Sequence, residues 1–353
     1  MPTFSAEFLQ DTTARIFQAC AVSEEEAHVV AEHLVDAEAC GLPSHGLLRV
    51  SQYVDAIEAG ELVPGAKPRV LSETVATAVL DAGHGFGQVM ARTAMDLAIE
   101  RAERAGVGVA TLRNCGHTGR LGSYTEQATR RGMLGMMLVN GGGHGQWVAP
   151  FGASAGRLAT NPLSIAIPTG SSDPLVLDMA TSAAPEGKIR AMLAAGLAIP
   201  EGWVVDHEGN STRNPADLYG PRRGALLPFG GHKGFGLAML IDALAGGLSG
   251  AGVCCDADAP LAGKGDGVFL VAIQIAAFAP LELYQQRITR LVQHVKSAAP
   301  SASSGEVVVP GETEARHRQR SLREGIPVAP ATWDALVSLM ERFQIRLSAV
   351  PHP

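Results

Sequence analysis

The chain has 353 residues, 46% of them hydrophobic and 18% charged, which is the make-up of an ordered globular protein with room for a sizeable core and two subdomains. A net charge of −7, with acidic and basic residues mixed along the chain, argues against nucleic acid as the main partner, because phosphate binding needs a concentrated basic face. The start MPTFSAEFLQDTTARIFQAC has no basic residue followed by an apolar run, and no apolar stretch approaches the ~20 residues of a membrane span, so neither a secretory signal nor a membrane helix is expected.

The first 60 residues read as helices. In SEEEAHVVAEHLVDAEACG, Ser23 is the expected N-cap, Glu26 completes a capping box and Gly41 supplies a stop. SHGLLRVSQYVDAIEAG reads as the next helix. Its Leu47, Val50, Val54 and Ile57 face a core, and His45, Arg49 and Tyr53 form a separate stripe one turn apart. From about residue 68 the pattern changes. PRVLSETVATAVLDAG predicts two short strands, QVMARTAMDLAIERAERAG an amphipathic helix, VGVATLRN a strand, GRLGSYTEQATRRG a helix and MLGMMLVN a buried strand. LATNPLSIAIPTG and PLVLDMATS follow as strands, PEGKIRAMLAAG as a helix, GFGLAMLIDALAGGL as a buried helix and GVFLVAIQIAAF as a buried strand. LELYQQRITRLVQHVKSA is helical, EVVVPGE is a strand ending in a turn, and TWDALVSLMERFQ is a last helix. The expected architecture is a helical N-terminal unit, joined by the C-terminal helix, around a central α/β body. Strands and helices do not alternate in a Rossmann order.

The motifs are weak one by one. There are 41 glycines, yet no strand–GxGxxG–helix fingerprint and no Walker A: Gly187-Lys188 is followed by Ile189. GHGFGQ (83–88) has the wrong spacing. In NCGHTGRLGSY, His117 sits where a strand gives way to a helix; at a helix N-terminus it would stay neutral and could donate to a substrate oxygen, a capping histidine being the plainer alternative. His84 and His144 lie in glycine-rich GHG turns. The 11 histidines contain no HxH or HxxxH pair and have no paired carboxylates nearby, so no catalytic metal is expected. In LDMATSAAPEGKIR, a strand delivers Asp178 and then small residues, with Ser182 a candidate helix cap and Lys188 and Arg190 as added charge, suited to a phosphate or a ribose. In GGHKGFGLAM, Lys233 lies between glycines ahead of an apolar helix, a reasonable phosphate contact. The GxSxG elbow of serine hydrolases is missing. Five cysteines at irregular spacing form neither a disulfide framework nor a CxxC knuckle, which fits a reducing cytoplasm.

Taken in order, SHGLLRV..Y, GHGFGQ, NCGHTGRLGSY, VAPFG, ATNPLSIAIP, LDMATS, GWVVDHEGN, LLPFGGHKGFGLAM and PGE resemble the malate/L-lactate dehydrogenase type 2 family, the L-sulfolactate dehydrogenase-like oxidoreductases. The resemblance spans roughly residues 10 to 345. It implies a non-Rossmann α/β fold: a mixed-sheet, cofactor-binding subdomain (69–312) plus an orthogonal helical bundle (1–68 with 313–353), assembled as a homodimer. It implies NAD(P)H as cofactor and a 2-oxo/2-hydroxy acid as substrate. Carried over motif by motif, His45 matches the proton donor, Arg49 the residue that holds the substrate carboxylate, and His117 the second active-site histidine, an acid–base group in parts of the family. Ser44 and Tyr53 belong to the same substrate-binding motif. Asp178, Met179, Ala180, Thr181 and Ser182, then His232 and Lys233, then Pro310, Gly311 and Glu312 match cofactor-contacting segments, and Thr160 and Asn161 fall near the nicotinamide. One departure stands out: Thr118 follows His117 where many relatives carry an aromatic residue, so no member's substrate is transferred. The chemistry fits by itself, since an imidazole can protonate a developing alkoxide and a guanidinium can grip a carboxylate through two parallel hydrogen bonds. Two other readings stay open: a reductase of cyclic or N-alkyl imino acids of the Δ1-piperideine-2-carboxylate type, and a catalytically silent metabolite-binding paralogue.

Overall fold

The structure is a computed structural model and describes residues 1–141, 146–256, 265–302 and 305–345; His144 lies outside them. Ten helices run along the described chain: α1 (Ala6–Ala19), α2 (Glu24–Ala39), α3 (Arg49–Glu58), α4 (Gly87–Ala105), α5 (Gly122–Thr129), α6 (Glu186–Ala194), α7 (His232–Ile241), α8 (Leu281–Lys296), α9 (Glu312–Glu324) and α10 (Pro330–Arg342). The main sheet has seven strands: β1 (Arg69–Glu73), β2 (Thr77–Asp81), β3 (Val107–Cys115), β4 (Met133–Asn140), β5 (Leu163–Ile167), β6 (Leu175–Met179) and β7 (Asp266–Gln274). Their spatial order is β1-β2-β3-β7-β4-β5-β6. Within this sheet the β2–β3 pair is parallel and the others are antiparallel. The parallel pair requires a crossover, which α4 supplies. The sheet is therefore mixed, as expected.

The core explains the chain order. One apolar cluster gathers Leu9, Phe17, Val30, Leu34, Leu47, Val50 and Val54 from the first 60 residues with Ile326, Val328, Leu336 and Leu339 from near the other end. A short antiparallel pair, Thr3–Phe4 with Ile326–Pro327, ties the two ends together. A second cluster packs Met90, Ala94, Ala98 and Leu121, Tyr124 of the α4–α5 layer on β2, β3, β4 and β7. On the opposite side Ile241 and Ala245 meet Leu138 and Leu163.

Four local expectations need correction. Ser23 caps α2, accepting from Glu26 N–H at 3.3 Å, but the Glu26 carboxylate turns away from the cap to accept from Gly65 N–H at 2.8 Å. SHGLLRV is not one helix: Pro43–His45 is a 3-10 turn and α3 begins only at Arg49. The cause is Glu38, whose carboxylate takes the Leu47 N–H at 2.9 Å; a Cβ on Gly46 would sit 2.2 Å from that carboxylate, so a larger residue there would have to push it off the Leu47 amide. The apolar GFGLAML helix is half open, for α7 buries Gly234, Ala238 and Ile241 but leaves Met239 54% and Leu240 62% exposed. EVVVPGE forms no strand. Instead Pro310 O accepts from Val176 N–H of β6 at 3.2 Å, and the charged segment after it, which showed no apolar period, is helix α9.

Candidate active site

The site is assembled at the C-terminal end of β3, where 116–120 leaves the sheet. His117 lies five residues ahead of α5, not at its N-terminus as the sequence suggested, so the helix dipole is not what governs it. Its position is set by backbone packing. Gly116 N–H donates to Gly85 O at 3.0 Å, and a Cβ on Gly87 would meet Gly116 O at 2.2 Å and His117 O at 2.4 Å. Gly87 starts α4, so the glycines of GHGFGQ let the histidine loop press onto that helix. On its other side Arg120 N–H donates to Nε2 of buried His33 at 3.0 Å.

The imidazole of His117 is held by two buried polar side chains. Gln88 Nε2 donates to Tyr53 Oη at 2.8 Å, and Tyr53 Oη in turn lies 2.7 Å from His117 Nδ1. Burial, with Arg49, His45 and His33 nearby, pushes the His117 pKa well below its ordinary value, so the ring is neutral. Its tautomer follows the direction of the Tyr53 bond: a phenol donating to Nδ1 leaves the ring proton on Nε2. Burial pushes Tyr53 up, which keeps the phenol protonated. His45 stacks on this ring at 5.6 Å between centroids, with only 9° between the planes. Its Nδ1 is buried with no partner among the described residues. Burial, reinforced by the Arg49 charge, lowers its pKa to about 4.

Arg49 opens α3, four residues before Tyr53. Its Nε donates to Ser44 O at 2.6 Å and its Nη1 to Gln52 Oε1 at 2.5 Å. These bonds fix the plane of the guanidinium, and Nη2 has no hydrogen-bond partner among the described residues. Burial raises the pKa of Asp266, at the start of β7, to about 7, against the opposing effects of the Arg49 charge and the Thr118 amide. Glu186 and Arg190 of α6 also act on Arg49. Thus His45, Arg49, Tyr53 and His117 are brought together, with Ser44 contributing its backbone carbonyl.

The remaining segments are assembled by main chain. Thr181 N–H and Oγ1 both donate to Thr160 O at 2.9 Å, and Thr181 Oγ1 also reaches Asn161 O at 3.0 Å. Phe229 N–H donates to Thr181 O at 3.0 Å. Asn161 has a positive φ of 26°, and its buried Oδ1 has no partner among the described residues. Asp178 accepts from Gly122 N–H at 2.7 Å, and burial raises its pKa to about 6. The run from Asp178 through Met179, Ala180, Thr181 and Ser182 to Gly187 leads towards the histidines: a Cβ at Gly187 would lie 3.8 Å from that of Ser44. A cleft of about 650 Å³ borders Ala183, Pro228, Gly230 and Gly231. Ser182 is no helix cap. Its Oγ donates to Ala184 O at 2.8 Å, and α6 starts at Glu186 after Pro185. Lys188 stands over Trp203 at 4.9 Å and Arg190 pairs with Glu186 at 2.9 Å, so these two are already engaged. His232 and Lys233 form the exposed first turn of α7, His232 edge-on to Phe151 at 5.8 Å, rather than a loop before the helix. Pro310 and Gly311 abut Val176, while Glu312 is closed by Lys296 and Arg316.

The profile of the malate/L-lactate dehydrogenases matches residues 4–337. The chain belongs to the malate/L-lactate dehydrogenase family. L-sulfolactate dehydrogenase of Methanocaldococcus jannaschii is 37% identical over 331 residues, covering 92% of this chain and 93% of that protein. Malate dehydrogenase of Pyrococcus horikoshii is 35% identical over 340 residues, 94% and 92% of the two chains; its solved structure superposes with a TM-score of 0.88, covering 98% and 96%. Δ1-Piperideine-2-carboxylate reductase from Pseudomonas syringae pvar. tomato superposes with a TM-score of 0.83 at 32% identity, covering 96% of this chain and 100% of that one. As a member of the malate/L-lactate dehydrogenase family the protein is an oxidoreductase of the 2-hydroxy acid type. Gln88, His33 and Asp266 were not singled out in the sequence; only Gln88, which closes GHGFGQ, had a motif to mark it.

Proposed function

We propose that this protein interconverts a 2-oxo acid and a 2-hydroxy acid with NAD(P)H, Arg49 holding the substrate carboxylate and His45 donating the proton. The observation that carries the reading is the parallel pair of neutral imidazoles, His45 and His117, beside a guanidinium whose Nη2 has no hydrogen-bond partner among the described residues. A carboxylate on Arg49 brings the adjacent C2 oxygen within reach of the rings. With the Tyr53 phenol donating to its Nδ1, His117 would offer only its Nε2–H and so polarise the oxygen. Passing that proton on would require a tyrosinate, which burial of Tyr53 opposes. The transferable proton therefore falls to His45. Burial, and after it the Arg49 charge, lowers the His45 pKa; a bound carboxylate offsets the Arg49 part and so shifts His45 towards its protonated form.

A nicotinamide dinucleotide would supply the hydride for C2. The residues present fit one: the cleft beside Gly230 and Gly231, the cation of Lys233, the carboxylate of Asp178, the main chain of 179–182, the unpartnered Oδ1 of Asn161 beside Thr160, and, next to β6, Pro310, Gly311 and Glu312 with His232 at the α7 turn. The division into a helical bundle and a cofactor-binding subdomain belongs to the same reading. So does a homodimer: α8 buries none of its residues, and Met239, Leu240 and Leu291 are apolar and exposed. Elution at twice 36.7 kDa is expected. Five free cysteines suit a reducing cytoplasm.

Imino-acid reduction is the second reading, favoured by the likeness to the piperideine-carboxylate reductase; the same clamp and donor would serve. The test is NADH and NADPH oxidation against pyruvate, oxaloacetate, phenylpyruvate and Δ1-piperideine-2-carboxylate, with His45→Ala beside the wild type. Turnover that is lost in the variant while cofactor still binds is the expected result. Cofactor binding without turnover on any of these would instead indicate a silent paralogue.

A further inference from the structure

We propose that Gln88 is a positioning residue for the reaction: its side-chain amide, donating to the Tyr53 phenol, turns the phenol proton onto His117 Nδ1 and so keeps His117 a donor from Nε2. This rests on His117 meeting the substrate oxygen, and it names the residue that gives that histidine its direction.

Gln88 lies in the first turn of α4 and is 1% exposed. Its Nε2 donates to Tyr53 Oη at 2.8 Å, and its Oε1 is buried with no partner among the described residues. Turned end for end, the amide would bury its NH2 group without a partner instead of a carbonyl. Buried N–H groups without an acceptor are the rarer and costlier case, so the amide faces the phenol as a donor. The phenol then receives one hydrogen bond and has one proton to give. Two acceptors lie near it, His117 Nδ1 at 2.7 Å and the His117 carbonyl at 3.5 Å. Only the first is at an ordinary hydrogen-bond length. In the reverse chain His117 Nδ1 would donate to the phenol. The phenol oxygen would then sit between two donors, and its own proton would be left with the distant carbonyl.

The titratable and charged groups around this chain can be named. His45 is stacked on His117, and Arg49 lies one turn before Tyr53 on α3. His33 of α2 accepts from the Arg120 amide at Nε2, as a neutral ring does. A cavity of about 320 Å³ that Gln88 and His33 both border carries Glu32 and Asp36 of α2, Arg92 and Asp96 of α4, Glu126 and Arg130 at the end of α5, and Arg318 of α9. Most of these charges are paired, Asp36 with Arg318, Glu126 with Arg120 and Glu32 with Arg92. An ionised carboxylate at position 88 would therefore be a new acceptor for the phenol, where the amide is a donor.

The experiment reads the tautomer and the chemistry separately, on the full-length protein. Histidine labelled with 15N gives the tautomer by NMR, the His117 signals being identified by their loss in His117→Asn. In the wild type, Nδ1 should give the resonance of an acceptor nitrogen and Nε2 that of a protonated one. Gln88→Glu keeps the shape and switches with pH. Its protonated carboxyl at about pH 6 can still donate to the phenol, whereas its carboxylate at about pH 9 takes the phenol proton, so that His117 must donate from Nδ1 and Nε2 is left bare. The two resonances should exchange between these pH values. Over the same range kcat relative to wild type should fall about 100-fold, the worth of one donor to a developing oxyanion, with KM changing less. Gln88→Met removes the hydrogen bond without reversing it, and should lose about fivefold in kcat at both pH values. A wild type whose His117 proton sits on Nδ1 would overturn the proposal, as would a Gln88→Glu protein that loses the same activity at both pH values with its resonances unexchanged. The expected spectra with no turnover of any oxo or imino acid by the wild type would instead sink the oxidoreductase reading and leave the role of Gln88 on the His117 tautomer standing.

Discussion

The two halves of the site are built from different materials. Around His117, backbone packing sets the loop and buried side chains hold the rings and turns: Gln88 on Tyr53, Tyr53 on His117, His33 on the Arg120 amide, Glu38 on the Leu47 amide. Along 160–161, 178–182 and 228–233, the segments are joined mainly at main-chain groups, reached from Thr181 N–H and Oγ1, Asn161 Nδ2 and Phe229 N–H, and side chains such as Lys233 stand in the open. The first arrangement aims particular atoms; the second makes a surface to which a long ligand can be fitted. A change in the first half should therefore act on the chemical step, and a change in the second on affinity for the cofactor.

The sharpest way to break this division is Arg49→Leu. Losing two charge-assisted hydrogen bonds, each worth ~1.5–3 kcal/mol, should lower kcat/KM for the oxo acid about 1000-fold while leaving the cofactor Kd unchanged. Gly87→Ala comes next: the added Cβ has no room against the 116–117 carbonyls, so His117 must shift, and kcat should fall about 100-fold with the far-UV circular dichroism intact. Tyr53→Phe removes the group that fixes the His117 tautomer; we expect about a tenfold drop in kcat and about 1–2 kcal/mol lost in urea unfolding, since Gln88 Nε2 loses its acceptor. Lys233→Ala should raise the cofactor Kd about tenfold with little change in kcat, and a reversed pattern would mean that the second half also takes part in the chemistry. The smallest effect concerns pH. His33 has a pKa of about 3 in the folded protein, where burial keeps it neutral, against about 6.5 in the unfolded chain. The unfolded state thus binds more protons between those values. The stabilisation from His33 is complete above pH 6.5 and is lost as pH falls below it, by about 1 kcal/mol from pH 6.5 to 5.5. His33→Gln, compared with wild type in urea melts at both pH values, should show that dependence reduced.

The same contrast explains what could be seen in the sequence. Periodicity located α2, α4, α10 and the inner strands of the sheet because each has one face pressed against a core, whereas the edge strand β1 is exposed throughout. It overextended the helix at His45, because the interruption comes from Glu38, a residue in the preceding helix. It missed α9, whose sequence ETEARHRQRSLRE has almost no apolar face and is held by ions, Arg318 to Asp36 and Arg316 to Glu306. Ordered motifs brought out His45, Arg49 and His117.

The joining of the two chain ends has a consequence for synthesis. Phe4 stacks on Trp333 at 4.2 Å, and the core beneath His45 and Arg49 is completed by Ile326, Leu336 and Leu339. On the ribosome these side chains emerge after the whole sheet has been made. The N-terminal helices must wait, with their apolar faces uncovered, while the sheet forms between them and their partner. Nascent chains stalled before residue 326 should be inactive and bound by chaperones even when their sheet is already folded, and emergence of residues 326–340 should be the event that switches activity on.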